Sequence, residues 1–169
     1  MMKRTSAKLK TPSPVTVFVP EKIVTGGQTG VDRAGLDVAI ALGLGHGGWC
    51  PRGRLAEDGS VPSCYEMIEH VSPDYKVRTR QNVIDSNATL ILYEQKLRGG
   101  TLLTQRCASE LQVPCLCRKI DAASVDEVRT WLGEHRPNVL NVAGPRESSH
   151  PGIYERSFEF LHLIFSLDR

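Results

Sequence analysis

Between Lys22 and Leu44 the chain reads KIVTGGQTGVDRAGLDVAIALGL, a β-branched run, a glycine-rich turn and an amphipathic helical pattern with no spacer between them. Few folds accept that order. Ile23 and Val24 end a strand, Gly26, Gly27 and Gly30 can take backbone angles closed to other residues, and a helix is expected to begin near Val31. A helix start leaves its first N–H groups unpaired and carries roughly half a positive charge, so a phosphate or similar oxyanion fits there.

Further along, strand-length apolar runs alternate with stretches at helical spacing, a β-α unit repeated about five times. GGWC reads as a short strand, RLAEDGSVP as an irregular surface loop, RTRQNVIDS as a helical stretch, and ATLILY as a strand buried on both faces. A helix follows GGT from about Leu102 to Leu111, and VPCLCRKI returns as a strand. In SVDEVRTWLGEH, Ser124 as N-cap with Glu127 three residues on forms a capping box, with Val125, Val128 and Leu132 on one face. NVLNVAG is another buried strand, GPRESSHPG its exit, and IYERSFEFLHLIFS a closing amphipathic helix. The expected fold is α/β: a Rossmann-like, doubly wound, mainly parallel sheet with helices on both faces, a single domain over 21–169.

A length of 169 residues, 40% hydrophobic and 24% charged, suits one such domain. A formal net charge of +2 is far from the balance of a dedicated nucleic-acid binder, and no apolar run is long enough to span a bilayer, so neither partner is expected. Five cysteines without a CxxC pair argue for a reducing cytoplasm and for thiols buried as small hydrophobes. Residues 1–20 carry Lys3, Arg4, Lys8 and Lys10 without an acid or a secretory apolar run, which reads as a flexible basic tail, with an organelle transit segment as the alternative.

Parallel sheets bind ligands outside the carboxyl ends of their strands, which gathers GGQTGVDR, GGT and GPRES onto one rim. Gly26, Gly27, Gln28, Thr29, Gly30, Gly99, Gly100, Thr101 and Gly144 are its expected phosphate-binding residues. Thr29 and Thr101 offer hydroxyls and Gln28 an amide to phosphate or ribose oxygens. Arg33, Arg52 and Arg146 are candidate counter-charges, Asp32 complements the helix start or orients Arg33, and Asn82 and Asp85 either position a sugar or base or cap locally. The partner these residues describe is a small phosphorylated molecule.

GGQTGVDRAGLD, WCPRGRLAEDG, RTRQNVIDSNATLIL, GGT and NVAGPRES, in that order, resemble the circularly permuted YpsA-type branch of the SLOG superfamily, whose members are often labelled molybdenum carriers. The resemblance spans about Ile23 to Phe165. It implies a Rossmann-like fold related to LOG-type nucleotide phosphoribohydrolases, a nucleotide or molybdenum cofactor (molybdopterin) as ligand, and assembly as a homodimer or homotetramer. LOG-type enzymes carry a PGGxGTxxE motif whose glutamate serves N-glycosidic cleavage; Thr104 stands at that place here, and Glu110 lies too far along to replace it.

Glu147 is then the best remaining general acid or base, while Glu57 and Asp58 read as solvated surface charge. His46, Cys50, Cys64 and His150 lack the spacing of a structural zinc site, so no protein-ligated metal is expected. Trp49 suits either stacking on a planar ring or packing between strand and helix. Three functions follow: a carrier that holds a phosphorylated small molecule, favoured by the absent glutamate; a nucleotide-processing enzyme of the phosphoribohydrolase type acting through Glu147; or a nucleotide-sensing module.

Overall fold

A computed structural model describes residues 17–166. Six strands, β1 (Lys22–Val24), β2 (Gly45–Cys50), β5 (Met67–Glu69), β6 (Ala88–Tyr93), β7 (Cys115–Lys119) and β8 (Val139–Ala143), form one parallel sheet in the order β5-β2-β1-β8-β6-β7. Five helices cover it: α1 (Val31–Ala41), α4 (Ser124–His135) and α5 (Ile153–Phe165) pack together on one face, α2 (Tyr75–Ile84) and α3 (Gly99–Leu111) on the other. The expected Rossmann-like sandwich is the observed one. Most of the tail expected over 1–20 lies outside the described residues; within its last four, Phe18 and Val19 pack against the main core.

Continuous apolar strands produce this arrangement because β6 and β8 are covered on both faces. Leu90, Leu92, Leu140 and Val142 are fully buried, joined by Val31 and Val38 of α1 and by Leu161 and Ile164 of α5. On the other face Val83, Cys107 and Ala108 close a smaller cluster. Chain order reverses direction around the neighbours β1, β8 and β6, and the crevice at their carboxyl ends is where such a sheet leaves room for a ligand.

Local departures from the expected elements have identifiable causes. α3 begins at Gly99, three residues before Leu102, because the two glycines join its first turn despite poor propensity. At α4 the cap is Asp121: its Oδ1 accepts the Ser124 N–H at 2.9 Å and the Ser124 hydroxyl at 2.8 Å, so Ser124 is the first helical residue and Glu127 turns to Arg118. The expected capping box does not form, although Val125, Val128 and Leu132 are buried on one face as expected. Cys50 and Cys107 are buried, Cys115 and Cys117 half-buried on the edge strand, and Cys64 is exposed.

RLAEDGSVP is more ordered than a loop. After a short 3-10 turn (Arg52–Arg54) it forms a hairpin of β3 (Leu55–Ala56) and β4 (Gly59–Ser60), with Glu57 and Asp58 at its tip. Arg54 roots the hairpin, donating to the carbonyls of Val61 at 3.0 Å, Pro62 at 2.7 Å and Tyr65 at 3.1 Å. No helix among the described residues is long and apolar enough to cross a membrane.

Candidate functional site

The rim of the sheet holds a cavity of about 390 Å³. The exit of β1 supplies Gln28 and Asp32, the exit of β8 supplies Gly144 and Arg146, and the start of α3 supplies Gly99, Gly100, Thr101 and Thr104. Three distant glycine-containing segments therefore meet at one opening. Tyr75, Arg78 and Thr79 of α2 form the opposite wall, with Lys96, Arg98 and His150 at its edges. Four basic side chains, Arg78, Lys96, Arg98 and Arg146, share the lining with the single carboxylate of Asp32.

The first glycine turn is occupied from within. The Gly27 N–H donates to Thr25 Oγ1 at 3.0 Å, Gln28 N–H to Asp32 Oδ2 at 3.2 Å, Thr29 N–H to Gln28 Oε1 at 3.0 Å, and Val31 N–H to the Pro145 carbonyl at 3.2 Å. Asp32, rather than an outside anion, fills this cradle. Burial raises its pKa above the usual 3.8, with the nearby Arg78 guanidinium, 3.7 Å away, and the turn's own N–H groups acting in the opposite sense. Arg78 lies flat against Gly26, where a Cβ would stand 1.4 Å from its Nη1, so glycine is needed there to admit the guanidinium.

The start of α3 is different. Its Thr101 and Leu102 N–H groups both turn to the Arg98 carbonyl, no side chain caps it, and an added Cβ at Gly99 or Gly100 meets nothing within 4 Å. Thr101 is buried against the cavity, and the Thr104 hydroxyl donates to the Gly100 carbonyl at 2.8 Å. Around it, Arg78 Nε and His150 Nδ1 are buried without a hydrogen-bond partner among the described residues. An unsatisfied guanidinium N–H of Arg78 beside an uncapped helix start fits a phosphate oxygen.

Other residues expected at the site lie elsewhere, each for a physical reason. Arg33 forms a bidentate pair with Asp58 and donates through Nε to the Gly27 carbonyl at 3.3 Å, so its charge is spent on the hairpin. Arg52 is exposed on the short 3-10 turn, outside the cavity. Asn82 clamps the Trp49 backbone, accepting its N–H at 2.8 Å and donating to its carbonyl at 2.9 Å, while Asp85 accepts from the Trp49 indole at 2.7 Å. Both tie α2 to β2 through Trp49.

Glu147 caps α5, its carboxylate accepting from the N–H groups of Gly152 and of Tyr154, the latter at 3.0 Å. It opens, with Arg33, Glu57 and Asp58, on a second hollow of about 770 Å³ behind the glycine turn. There Asp37 accepts from Tyr65 at 2.8 Å and from Tyr154, whose phenol is pushed up to about 12 by burial and that carboxylate. This second hollow is lined by the acids Asp37, Glu57, Asp58, Glu147 and Glu155, whereas the charged lining of the first is mainly cationic.

Glu57 and Asp58 are not plain surface charge. Glu57 accepts from the Thr29 hydroxyl and from the Ser148 N–H at 3.1 Å, and its N–H donates to Gln28 Oε1 at 3.0 Å. The signals for Lys96 and Arg98 were present in sequence, since EQKLRGGT is the exit of a rim strand. Arg78 carried none, because nothing in KVRTRQ separates it from Arg80, which pairs with Glu110 on the surface.

A doubly wound parallel sheet with a cation-lined cavity at its switch point defines a Rossmann-like α/β domain. The chain belongs to the circularly permutated YpsA SLOG family, whose family model matches residues 23–165. It is similar to a crystal structure from Syntrophus aciditrophicus SB named "Putative molybdenum carrier protein", with 40% identity and a TM-score of 0.86, over 89% of this chain and 98% of that one. No curated protein matches the chain.

Proposed function

We propose that this protein is a carrier that holds a phosphorylated small molecule, molybdenum cofactor or a nucleotide, in the rim cavity, its anionic group at the start of α3. The observation that supports this is the charge inventory: four basic side chains against one already paired carboxylate, beside uncapped N–H groups and the buried Arg78 Nε without a partner. A cavity of about 390 Å³ lies in the range of small-ligand pockets.

The residues fit the phosphate end of molybdopterin. Arg78, Arg146, Thr101 and the Gly99 and Gly100 N–H groups would hold it, and the cofactor would bring its own dithiolene for molybdenum. No three His, Cys, Asp or Glu side chains converge as a ligand set among the described residues. Holding is favoured over cleavage because Thr104 occupies the place of the catalytic glutamate and Glu147 is engaged at α5. The same reading takes the protein as cytoplasmic and as a homodimer or homotetramer, which light scattering on a sizing column checks.

Calorimetric titration with inorganic pyrophosphate and AMP, and retention of molybdopterin through gel filtration, test the reading. Binding is expected in the wild type and lost in Gly100→Asp, which places a carboxylate in open space at the start of α3. Failure of the wild type to bind any phosphate compound overturns it. Release of free base from AMP would turn the reading from carrier to enzyme.

A further inference from the structure

Resting on that reading of the cavity, we propose that Glu57 is a built-in competitor of the ligand: its carboxylate engages Arg146 until a phosphate compound of at least two negative charges takes the guanidinium over. Glu57 sits at a hairpin tip, yet its side chain is only 18% exposed, because the carboxylate folds back between the exits of β1 and β8. Its Oε2 stands 3.8 Å from Nη1 of Arg146, and Arg146 lines the cavity. Its N–H takes the same Gln28 oxygen that receives the Thr29 N–H, and Gln28 also lines the cavity. Both N–H groups thus hold the amide of Gln28 by its oxygen, while the Glu57 carboxylate draws on Arg146, the charge that a bound anion would use.

The hairpin is built so that its tip can yield alone. Arg54 pins the root through backbone carbonyls, whereas Glu57 and Asp58 hold the tip through polar contacts with Thr29, Gln28, Ser148, Arg146 and Arg33. Leu55 is half exposed and adds little apolar anchoring. Desolvation works against the charged form of Glu57, but hydrogen bonds from Ser148 and Thr29, with Arg146 nearby, outweigh it and hold the carboxyl below the usual 4.5. At neutral pH the competitor is therefore an anion. A weakly charged ligand cannot displace it, while a pyrophosphate or phosphomonoester dianion offers Arg146 the better partner.

Pyrophosphate titrated into wild type and Glu57→Gln decides the matter. Removing the charge while keeping the shape is expected to tighten pyrophosphate binding about threefold to fivefold, the size of a partly exposed ion pair. Ser148→Ala, which deletes one donor to Glu57, is expected to act in the same direction and less. In the wild type, pyrophosphate is expected to speed amide exchange at residues 57–60 while the Arg54 root stays protected. Equal or weaker affinity in Glu57→Gln, with the wild type binding, overturns the competition and leaves the cavity reading intact. If neither protein binds pyrophosphate or AMP, both fall; binding gained only in Glu57→Gln upholds the competition and removes the wild-type occupancy.

Discussion

Two glycine pairs open two helices on one rim, and the chain uses them in opposite ways. At α1 the N–H groups of Gly27, Gln28, Thr29 and Val31 are all taken by Thr25, Asp32, Gln28 and Pro145. At α3 the space above Gly99 and Gly100 is open and the cap is absent. The first pair serves packing, since Arg78 needs the room above Gly26 and Val61 and Met67 close on Gly27, and Gly30 after it makes room for the Pro145 carbonyl. The second pair leaves its helix start open. A glycine-rich strand-to-helix turn therefore marks close approach, and only the surroundings say whether the approaching group is the chain itself or a ligand.

The largest test of this contrast is a pair of alanine substitutions. At Gly30, φ is +78° and an added Cβ would lie 2.4 Å from the Pro145 carbonyl oxygen, against backbone that cannot yield cheaply. Gly30→Ala is expected to cost about 2 to 4 kcal/mol of stability. Gly100→Ala meets nothing within 4 Å in a helical first turn and is expected to be neutral or to stabilise by up to about 1 kcal/mol. Urea denaturation of both variants checks this. Equal losses would remove the division between a packed and an open helix start.

Next in size is a pair of arginines. Arg78→Ala is expected to weaken pyrophosphate binding by about 1.5 to 3 kcal/mol, roughly 10-fold to 150-fold, since it deletes the guanidinium between Asp32 and the cavity. Arg33→Ala is expected to leave that affinity within about twofold, because Arg33 serves Asp58 behind the turn. Calorimetry on both, with thermal unfolding as the control, distinguishes them. A large loss in Arg33→Ala would reassign the anion to the α1 side.

What was legible in the chain beforehand divides along the same line. ATLILY and NVLNVAG showed their depth through unbroken apolar runs, and VTGGQTGVD showed its strand, turn and helix, because those signals are local. The convergence of GGQTG, GGT and GPRES was also readable, since a parallel sheet sends every strand exit to one rim. Partnerships were not. Asp58 meets Arg33 across 25 residues, Glu57 meets Ser148 across 91, and both look like solvated acids in an LAEDG turn. Asp121 outcompetes the expected capping box at Ser124 because a carboxylate three residues earlier reaches both the N–H and the hydroxyl.

The smallest expected effect sets two aspartates against each other by pH. Asp32 has its folded pKa raised by burial, so its ionisation costs stability; the cost is absent below about the unfolded 3.8 and present once pH exceeds the folded value. Asp58 is held below 3.8 by its hydrogen bonds to Arg33, so its contribution is present above the unfolded value and disappears as pH falls through the folded one. Relative to wild type, Asp32→Asn is therefore expected to fare better at pH 7 than at pH 3. Asp58→Asn is expected to fare worse at pH 7, by about 0.5 to 1 kcal/mol for so exposed a pair, and to converge on wild type in acid. Denaturant melts at the two pH values read the difference, and slopes of the same sign would mean that Asp32 draws its character from Arg78 and the turn N–H groups rather than from burial.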